Sequence, residues 1–325
     1  MPILDARHDF AHPVESDGAW SESYYFNAYD PQADVGFFSR LAIRPHEGTI
    51  DAFCFVWLPG GGIARLHAAR PQSEMIDVGL EVGGIGYQRV TPLSEWRLRF
   101  RGDATEAEGG EAIPFDADVT FRALTPAIGV SGEEPSKAGA TADAQANVAK
   151  GHFEQAGTWT GDIGLGDRRL TLTAARGNRD KSWGPRRWGG ASMWRWFSIN
   201  LGDDVHLGGI RLGTTAGDLH RGWLWKDGKA SSIRRWDVKT ELDPDGITQR
   251  RIRLTATDKQ GRDHVLDAEV QRVAPLLDHP QGTSEGRTLV LEALARWRYD
   301  GRVGHGIAEY CHQLDEHGRP LVAIE

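Results

Sequence analysis

The segment RGNRDKSWGPRRW, residues 176–188, places one carboxylate among several cations and two tryptophans. Asp180 is flanked by Arg179 and a lysine, and Arg186 follows shortly after. Because nearby positive charge lowers the pKa of a carboxyl group, the sequence predicts an ionised Asp180 with an orienting or electrostatic role. Burial beneath Trp183 would act in the opposite direction and make Asp180 a general acid. The alternative is structural, namely an Arg–Asp ion pair that fixes a loop, with Trp183 stacked on an arginine.

A second candidate pair lies in GRVGHGIAEY, Gly301–Tyr310. His305 and Glu309 are separated by an even number of residues, so in an extended strand their side chains share one face. A histidine and a carboxylate on one face can form an acid/base pair, and Tyr310 adds a hydroxyl group for binding. The alternative is a surface strand with a solvated glutamate. His206, in DDVHLGGIR, is a further candidate for binding, and its alternative is a partly buried, hydrogen-bonded histidine.

Aromatic residues beside these segments are candidate walls of a binding pocket. The chain has 12 tryptophans, and large rigid rings supply apolar surface to cavities. We expect Trp183, Trp194 and Trp196 to line such a pocket. Tyr25 belongs to SESYYFNAYD, where polar residues alternate around aromatic ones and would line a pocket or a domain interface. Core packing alone is the alternative for each of these rings.

The sequence predicts neither a metal site nor an organic cofactor. It has no HExxH motif and no clustered His/Cys set, GGGIARL lacks the Lys-Ser/Thr of a phosphate loop, and GDIGLG has the wrong glycine spacing for a dinucleotide fingerprint. His8 and His12 are four residues apart, but we expect the chain to be frayed there. Cys54 and Cys311 are predicted to be buried reduced thiols, because two distant cysteines offer no disulfide framework.

Composition and charge limit the class of protein. Apolar residues make up 39% of the 325 residues and charged residues 26%, which is typical of an ordered globular chain. The net charge is 38 − 46 = −8, which argues against nucleic acid or an anionic membrane as the main partner. No apolar run approaches the roughly 20 residues that cross a bilayer, and the N-terminus lacks an apolar signal core. The sequence therefore predicts a cytoplasmic protein without a membrane span.

Segments typical of strands position these candidates. Most run for six to ten residues between Gly, Asp or Pro, and Arg251–Thr257 (RIRLTAT) alternates polar and apolar residues as a half-buried strand does. Regular strand spacing with turn signals predicts an all-β protein, built as an antiparallel sandwich or barrel. The 40 glycines of the chain agree with many tight turns.

A polar segment divides the chain. Residues 129–151 contain no aromatic residue and almost no large aliphatic one, so they cannot bury much surface. We therefore predict an N-terminal β domain at residues 1–128, a linker at 129–151 and a C-terminal β domain at 152–325. A weak echo of aromatic segments between the halves, such as Tyr24–Phe26 and Trp194–Phe197, favours two related domains.

The run Gly177–Arg186 resembles the G-x-R-D-x-S-W-G-x-R element of the AttH/CrtC-like proteins, a group that includes carotenoid 1,2-hydratase. The resemblance is strongest from Gly157 to Arg211 and extends to the ending Gly304–Tyr310. It implies two tandem lipocalin-like antiparallel β-barrel domains with a hydrophobic pocket. It also implies chemistry on polyenes or terpenoids, with Asp180 as the corresponding acid.

Residue chemistry and resemblance together predict a cofactor-independent enzyme acting on a hydrophobic small molecule. Hydration, dehydration, isomerisation and cyclisation are the reaction types left open. Asp180, with His305 or Glu309, is the predicted acid/base group. Arg179 and Arg186 would orient the substrate. A non-catalytic carrier of a lipophilic ligand is the main alternative, since a fold does not imply catalysis. A structural module with an exposed aromatic patch is the third possibility.

Overall fold

The computed structural model describes residues 1–106, 109–133, 147–214, 217–280 and 287–325. Within these residues the regular elements are strands and short 3-10 turns, the latter at Ala6–Asp9, Pro45–Glu47 and Trp188–Gly190. The strands of the first half are β1 (Trp20–Asp30), β2 (Val35–Arg44), β3 (Thr49–Trp57), β4 (Ile63–Pro71), β5 (Leu80–Val82), β6 (Ile85–Thr91), β7 (Glu95–Glu106), β8 (Ala112–Ala123) and β9 (Ile128–Val130). Next come β10 (Gly151–Leu165), β11 (Arg168–Leu172) and β12 (Arg176–Pro185).

The remaining strands are β13 (Met193–Asn200), β14 (Val205–Thr214), β15 (Gly217–Lys226), β16 (Lys229–Leu242), β17 (Gln249–Asp258), β18 (Asp263–Pro280), β19 (Arg287–Tyr299) and β20 (Arg302–Leu314). These eight strands pair in chain order and close into an antiparallel barrel, in which β20 returns to β13. The predicted all-β class with two lipocalin-like barrels is confirmed.

The other barrel is built from the earlier strands. β12, β1, β2, β3 and β4 follow one another in the sheet, and β4 pairs with β7 at Ala64 and Arg65. β7 pairs with β8, β8 with β10, and β10 with β12, so that these eight strands form a closed antiparallel circuit. β5, β6, β9 and β11 extend its edges.

The domain boundary differs from the predicted one. The first unit contains β1 to β12, and the second contains β13 to β20. The predicted C-terminal domain began at residue 152, yet β10 and β12 complete the first barrel by pairing with β8 and β1, and β11 pairs with β10. A polar, core-poor segment marks a connection, but its composition is the same whether it joins two domains or two strands of one barrel. Residues 134–146 of the predicted linker lie outside the described residues.

Each barrel has an aromatic interior. In the first, Phe26 lies among Trp96, Trp159 and Phe121, with ring centroids 5.6–6.0 Å apart. In the second, Phe197 packs against two tryptophans, with ring centroids 5.7 and 5.9 Å away. Rings of this size fill the interior of a small eight-stranded barrel.

Two further features of the chain belong to the fold. Cys54 and Cys311 are both buried, as predicted. Across the described residues, no helix is long and apolar enough to span a bilayer.

Candidate functional site

Strand alternation separates Asp180 from the cations that flank it in the sequence. Asp180 lies in β12, where successive side chains point to opposite faces of the sheet. Arg179 and Lys181 point into the first barrel and are buried, whereas Asp180 is on the outer face. Its hydrogen-bond partner among the described residues is His152. The sequence reading that Arg179 and Lys181 surround Asp180 was therefore wrong, because it treated the segment as a loop.

The outer-face cluster consists of His152, Glu154 and Asp180. His152 and Glu154 lie two residues apart on β10, and Glu154 is the cross-strand neighbour of Asp180. His152 Nε2 forms a hydrogen bond with Asp180 Oδ2 and lies 3.8 Å from Glu154 Oε1. Tyr25 of β1 is the neighbour of Asp180 on the other side, and its side chain is buried. Two adjacent strands, β10 and β12, therefore bring two carboxylates to one imidazole.

Two carboxylates determine the charge of His152. Burial alone would lower the pKa of its imidazole, because it disfavours the charged form. The charge and hydrogen bond of Asp180, followed by the charge of Glu154, outweigh that effect, although Arg186 opposes them. The result is a pKa of about 9 for His152. At neutral pH the ring is therefore an imidazolium held by carboxylates.

The outer-face cluster is able to exchange a proton or to bind a cation. Asp180 occupies Nε2 of His152, while Nδ1 has no partner within the part of the chain that the structure describes. The His152 side chain is 25% exposed, so a small molecule can reach it. The three ligand atoms also lie within 4.8 Å of one another, and one imidazole with two carboxylates is a donor set for a divalent metal ion.

Arg179 and Trp183 hold the N-terminal segment. Arg179 donates to Asp9 Oδ1 at 2.8 Å and to Gln155 Oε1 at 2.7 Å. The Trp183 ring stacks on His12 with centroids 3.8 Å apart. The N-terminus was expected to be frayed, but Asp9 is fully buried here. This burial could not be predicted from the sequence, because the segment reaches its partners only through the folded barrel.

Lys181 completes the charged interior of the first barrel. Its Nζ donates to the carboxylate of Glu22 and to the carbonyl of Phe10 at 2.9 Å. Burial lowers the pKa of Lys181, and the charge of Glu22 acts against that change. Each cation of this interior therefore has a carboxylate partner.

The candidates of the second unit lie on two faces of its barrel. Glu309 of β20 accepts a hydrogen bond from Trp194 Nε1 at 2.5 Å, and Trp196 is its cross-strand neighbour on β13. His305 is on the same strand at an even step, and burial, followed by the charge of Arg296, lowers its pKa to about 4. Asp180 belongs to the other unit.

Tyr310 and His206 have local partners. Tyr310 points into the second barrel, where its hydroxyl group shares a hydrogen bond of 2.7 Å with Thr240 Oγ1. His206 is fully buried, and its Nδ1 lies 2.9 Å from Asn200 Oδ1. These contacts correspond to the alternative given above for His206, a partly buried, hydrogen-bonded histidine.

Sequence reasoning did not find His152 or Glu154. The signal available was the alternation of polar residues in HFE, directly after the polar segment. The meaning of this pattern depends on β10 lying beside β12. The predicted boundary had assigned both strands to the C-terminal domain. Among the described residues, two open grooves contain no predicted site residue: one of about 870 Å³ is lined partly by Arg97 and Asp118, and one of about 580 Å³ partly by Arg211 and Asp237.

Comparisons with known proteins identify relatives at the level of family and fold. A family described as "Domain of unknown function (DUF7064)" matches residues 5–314. No curated protein sequence matches the chain. A candidate AttH from Nitrosomonas europaea has a similar solved structure, with a TM-score of 0.61, 15% identity and coverage of 95% of this chain and 98% of its own.

Two other solved structures share the architecture. CghA matches with a TM-score of 0.56 and 14% identity over 94% of each chain. Kievitone hydratase from Nectria haematococca matches with a TM-score of 0.59 and 12% identity, over 95% of this chain and 93% of its own. At these identities the likeness concerns the fold, and it confirms the resemblance to AttH-like proteins at that level.

Proposed function

Because the chain belongs to the DUF7064 family and has the fold of AttH-like proteins, we propose that it is an acid–base enzyme of the hydratase type. Its substrate would be a hydrophobic small molecule that gains or loses water at a double bond. The observation that carries the proposal is the partly buried His152 imidazole, which Asp180 and Glu154 keep protonated at neutral pH. A histidine poised in this way is a general acid.

The proposed roles follow from which ring nitrogen is occupied. Asp180 accepts the hydrogen bond of Nε2, so it fixes the ring and stabilises its positive charge. Nδ1–H of His152 is then the proton donor. Asp180 is a positioning residue, and His152 is the catalytic one. The acid role expected for Asp180 passes to its partner, because the charge and hydrogen bond of Asp180 raise the pKa of the His152 imidazole and keep the proton on that ring.

Hydration by this cluster balances as follows. Nδ1 of His152 gives its proton to one carbon of the double bond, and the oxygen of a water molecule bonds to the other carbon. That water releases a proton, which Glu154 accepts. Nε2 keeps its proton towards Asp180 throughout, so a solvent water carries the proton from Glu154 back to the vacated Nδ1 of His152 and restores the starting state. The reverse sequence removes water from an alcohol.

Two observations support the assignment of reaction and substrate class. Kievitone hydratase, whose fold this chain shares, is by name a hydratase. The buried ring of Tyr25, beside Asp180 on the adjacent strand, offers an aromatic surface at the cluster. Sequence similarity to an AttH/CrtC-like element in β12 points in the same direction.

Isotope-labelled water provides the test. The purified protein is incubated with an apolar metabolite extract in water enriched in oxygen-18, and the products are analysed by mass spectrometry. A compound that gains one labelled water only with active protein is the expected result. His152→Gln and Asp180→Asn should lower its formation by a factor of about 100 or more, the lower end of general acid–base contributions.

A matched variant separates chemistry from folding. His67 is an exposed histidine on β4 of the same barrel, and His67→Gln should retain full activity. Full activity in folded His152→Gln would overturn the proposal. Recovery of one unaltered compound with wild type and both variants would instead indicate a carrier.

A further inference from the structure

A buried arginine occupies the interior of the second barrel. Arg195 lies on β13, its side chain is fully buried, and its guanidinium carbon is 4.3 Å from the centroid of the Tyr310 ring. Nη1 donates to the carbonyl oxygens of Trp194 at 2.9 Å and Cys311 at 3.2 Å. The backbone and one aromatic face therefore fix the position and plane of the guanidinium.

The other edge of this guanidinium has no partner. Nε and Nη2 of Arg195 are both buried, and neither has a hydrogen-bond acceptor in the described part of the chain. These two nitrogens form one edge of the planar group, and a carboxylate binds such an edge through two parallel hydrogen bonds. The carboxylate of Glu325 is engaged by Arg211 at 2.6 Å. Arg195 forms no ion pair with any described residue.

His312 adds a second unsatisfied donor beside it. The side chain is buried on β20, its ring lies 6.1 Å from that of Tyr310, and neither ring nitrogen has a partner among the described residues. Burial, followed by the charge of Arg195, lowers the pKa of His312 to about 3. The ring is therefore neutral at physiological pH and can offer one N–H group without adding charge.

Unsatisfied buried donors of this kind are rare and need an explanation, because an unpaired buried charge is strongly unfavourable. The site contributes one positive charge and a planar pair of N–H donors, which matches a monoanion with two coplanar oxygens. We propose that the Nε–Nη2 edge of Arg195 binds the carboxylate of a small organic acid inside the second barrel, beside His312. The proposal does not depend on the acid–base chemistry of the first barrel.

The test follows the Arg195 side chain directly. Nitrogen-15 spectra of the arginine Nε–H groups in the full chain are recorded while acetate, octanoate or octanol is added. Arg195→Lys identifies the resonance by its loss. Acetate and octanoate should shift the Arg195 signal, and octanol should not, because it has the apolar chain without the carboxylate. A response to octanoate alone would show that the acid must also have an apolar tail.

Calorimetric affinities provide the quantitative measurement. Arg195→Met should weaken binding of the responding acid by about tenfold or more, as expected for loss of a charge-assisted bidentate contact. Arg253→Met removes an exposed arginine of the same barrel and should bind like wild type. The wild-type titration decides the question even if Arg195→Met does not fold.

Three results would overturn the proposal. The first is an Arg195 signal that does not respond to either acid. The second is an equal response to octanol. The third is Arg195→Met binding the acid as tightly as wild type. Dipolar contacts from the Arg195 Nε–H to long-lived water, with no response to either acid, would assign the site to buried solvent instead.

Discussion

In the first barrel Lys181 of β12 lies over the ring of Tyr24 on β1, and in the second barrel Arg195 of β13 lies over the ring of Tyr310 on β20. In both barrels the cation and the tyrosine are cross-strand partners, with the two strands exchanged. Lys181 is neutralised by the carboxylate of Glu22, whereas Arg195 has no carboxylate partner among the described residues.

This difference distinguishes two uses of buried charge. In the interior of the first barrel the cations are structural. Arg179 pairs with Asp9 and Lys181 with Glu22, and these pairs hold the N-terminal segment. The interior of the second barrel keeps one cation available. A buried charge that is already paired cannot also pair with a ligand, whereas an unpaired buried charge can. The cations of both barrels are buried, so burial does not distinguish a structural cation from one available to a ligand. What distinguishes them is whether the N–H donors of the cation already have hydrogen-bond acceptors.

The largest expected effect concerns a paired cation. Arg179→Met removes the nearer cation of the buried Asp9 carboxylate and leaves Arg89 4.0 Å away, so we expect the free energy of unfolding to fall by about 3–5 kcal/mol. Urea denaturation followed by tryptophan fluorescence measures it. The double variant Asp9→Asn/Arg179→Met should recover part of the loss. A decrease below about 1 kcal/mol would show that this pair does not hold the first barrel together.

The outer-face cluster should make stability depend on pH. The pKa of His152 is raised to about 9 from an ordinary value of 6.5, so its stabilisation is complete below about pH 6.5 and is lost as the pH rises through 9. The shift of 9 − 6.5 = 2.5 corresponds to about 3 kcal/mol. Urea denaturation of wild type at pH 6 and pH 10 should show this loss.

Asp180→Asn is the matched comparison for that pH dependence. Without the carboxylate, the pKa of His152 should fall towards its ordinary range, and most of the alkaline loss of stability should disappear. The proposed hydratase activity should decline with the same alkaline midpoint, because only the protonated ring of His152 would donate a proton. Equal pH profiles for wild type and Asp180→Asn would remove the basis for the His152–Asp180 pair.

The smallest expected effect concerns Arg195, the unpaired cation. Its removal should change the stability in the direction opposite to the change caused by Arg179→Met. Arg195→Met removes a buried charge that has no carboxylate partner, so we expect the stability of the unliganded protein to stay the same or to rise by about 1 kcal/mol. Thermal unfolding in a buffer free of carboxylates provides the measurement. A loss of stability comparable to that of Arg179→Met would show that Arg195 is a structural cation like Arg179. The two barrels would then not differ in their use of buried charge.

Local sequence pattern was sufficient for the strands and their class. Alternation in RIRLTAT corresponds to β17, and strand spacing with turn signals predicted an antiparallel all-β protein. Alternation depends only on nearest neighbours along the chain, so it can be read without knowledge of the fold. The resemblance around Asp180 added the lipocalin-like architecture.

Partners across strands were not accessible in the same way. The sequence singled out Asp180 but assigned it to a loop with Arg179 and Lys181, whereas β12 turns both cations to the opposite face. His152 was missed, although it determines what Asp180 does. His305 and Glu309 were placed on one strand by their spacing, and the hydrogen bond from Trp194 to Glu309 came only from strand pairing.

The amino-acid sequence by itself thus determined the all-β class, most of the strands and the alternation of side chains along them. The tertiary structure alone decided which strands close each barrel, which side chains meet, and whether a buried charge finds a partner. The physical reason is the distance along the chain over which each property is determined. Side-chain direction is fixed by local backbone geometry, whereas a pKa, a buried ion pair or an unfilled hydrogen bond depends on groups that the chain brings together over more than a hundred residues.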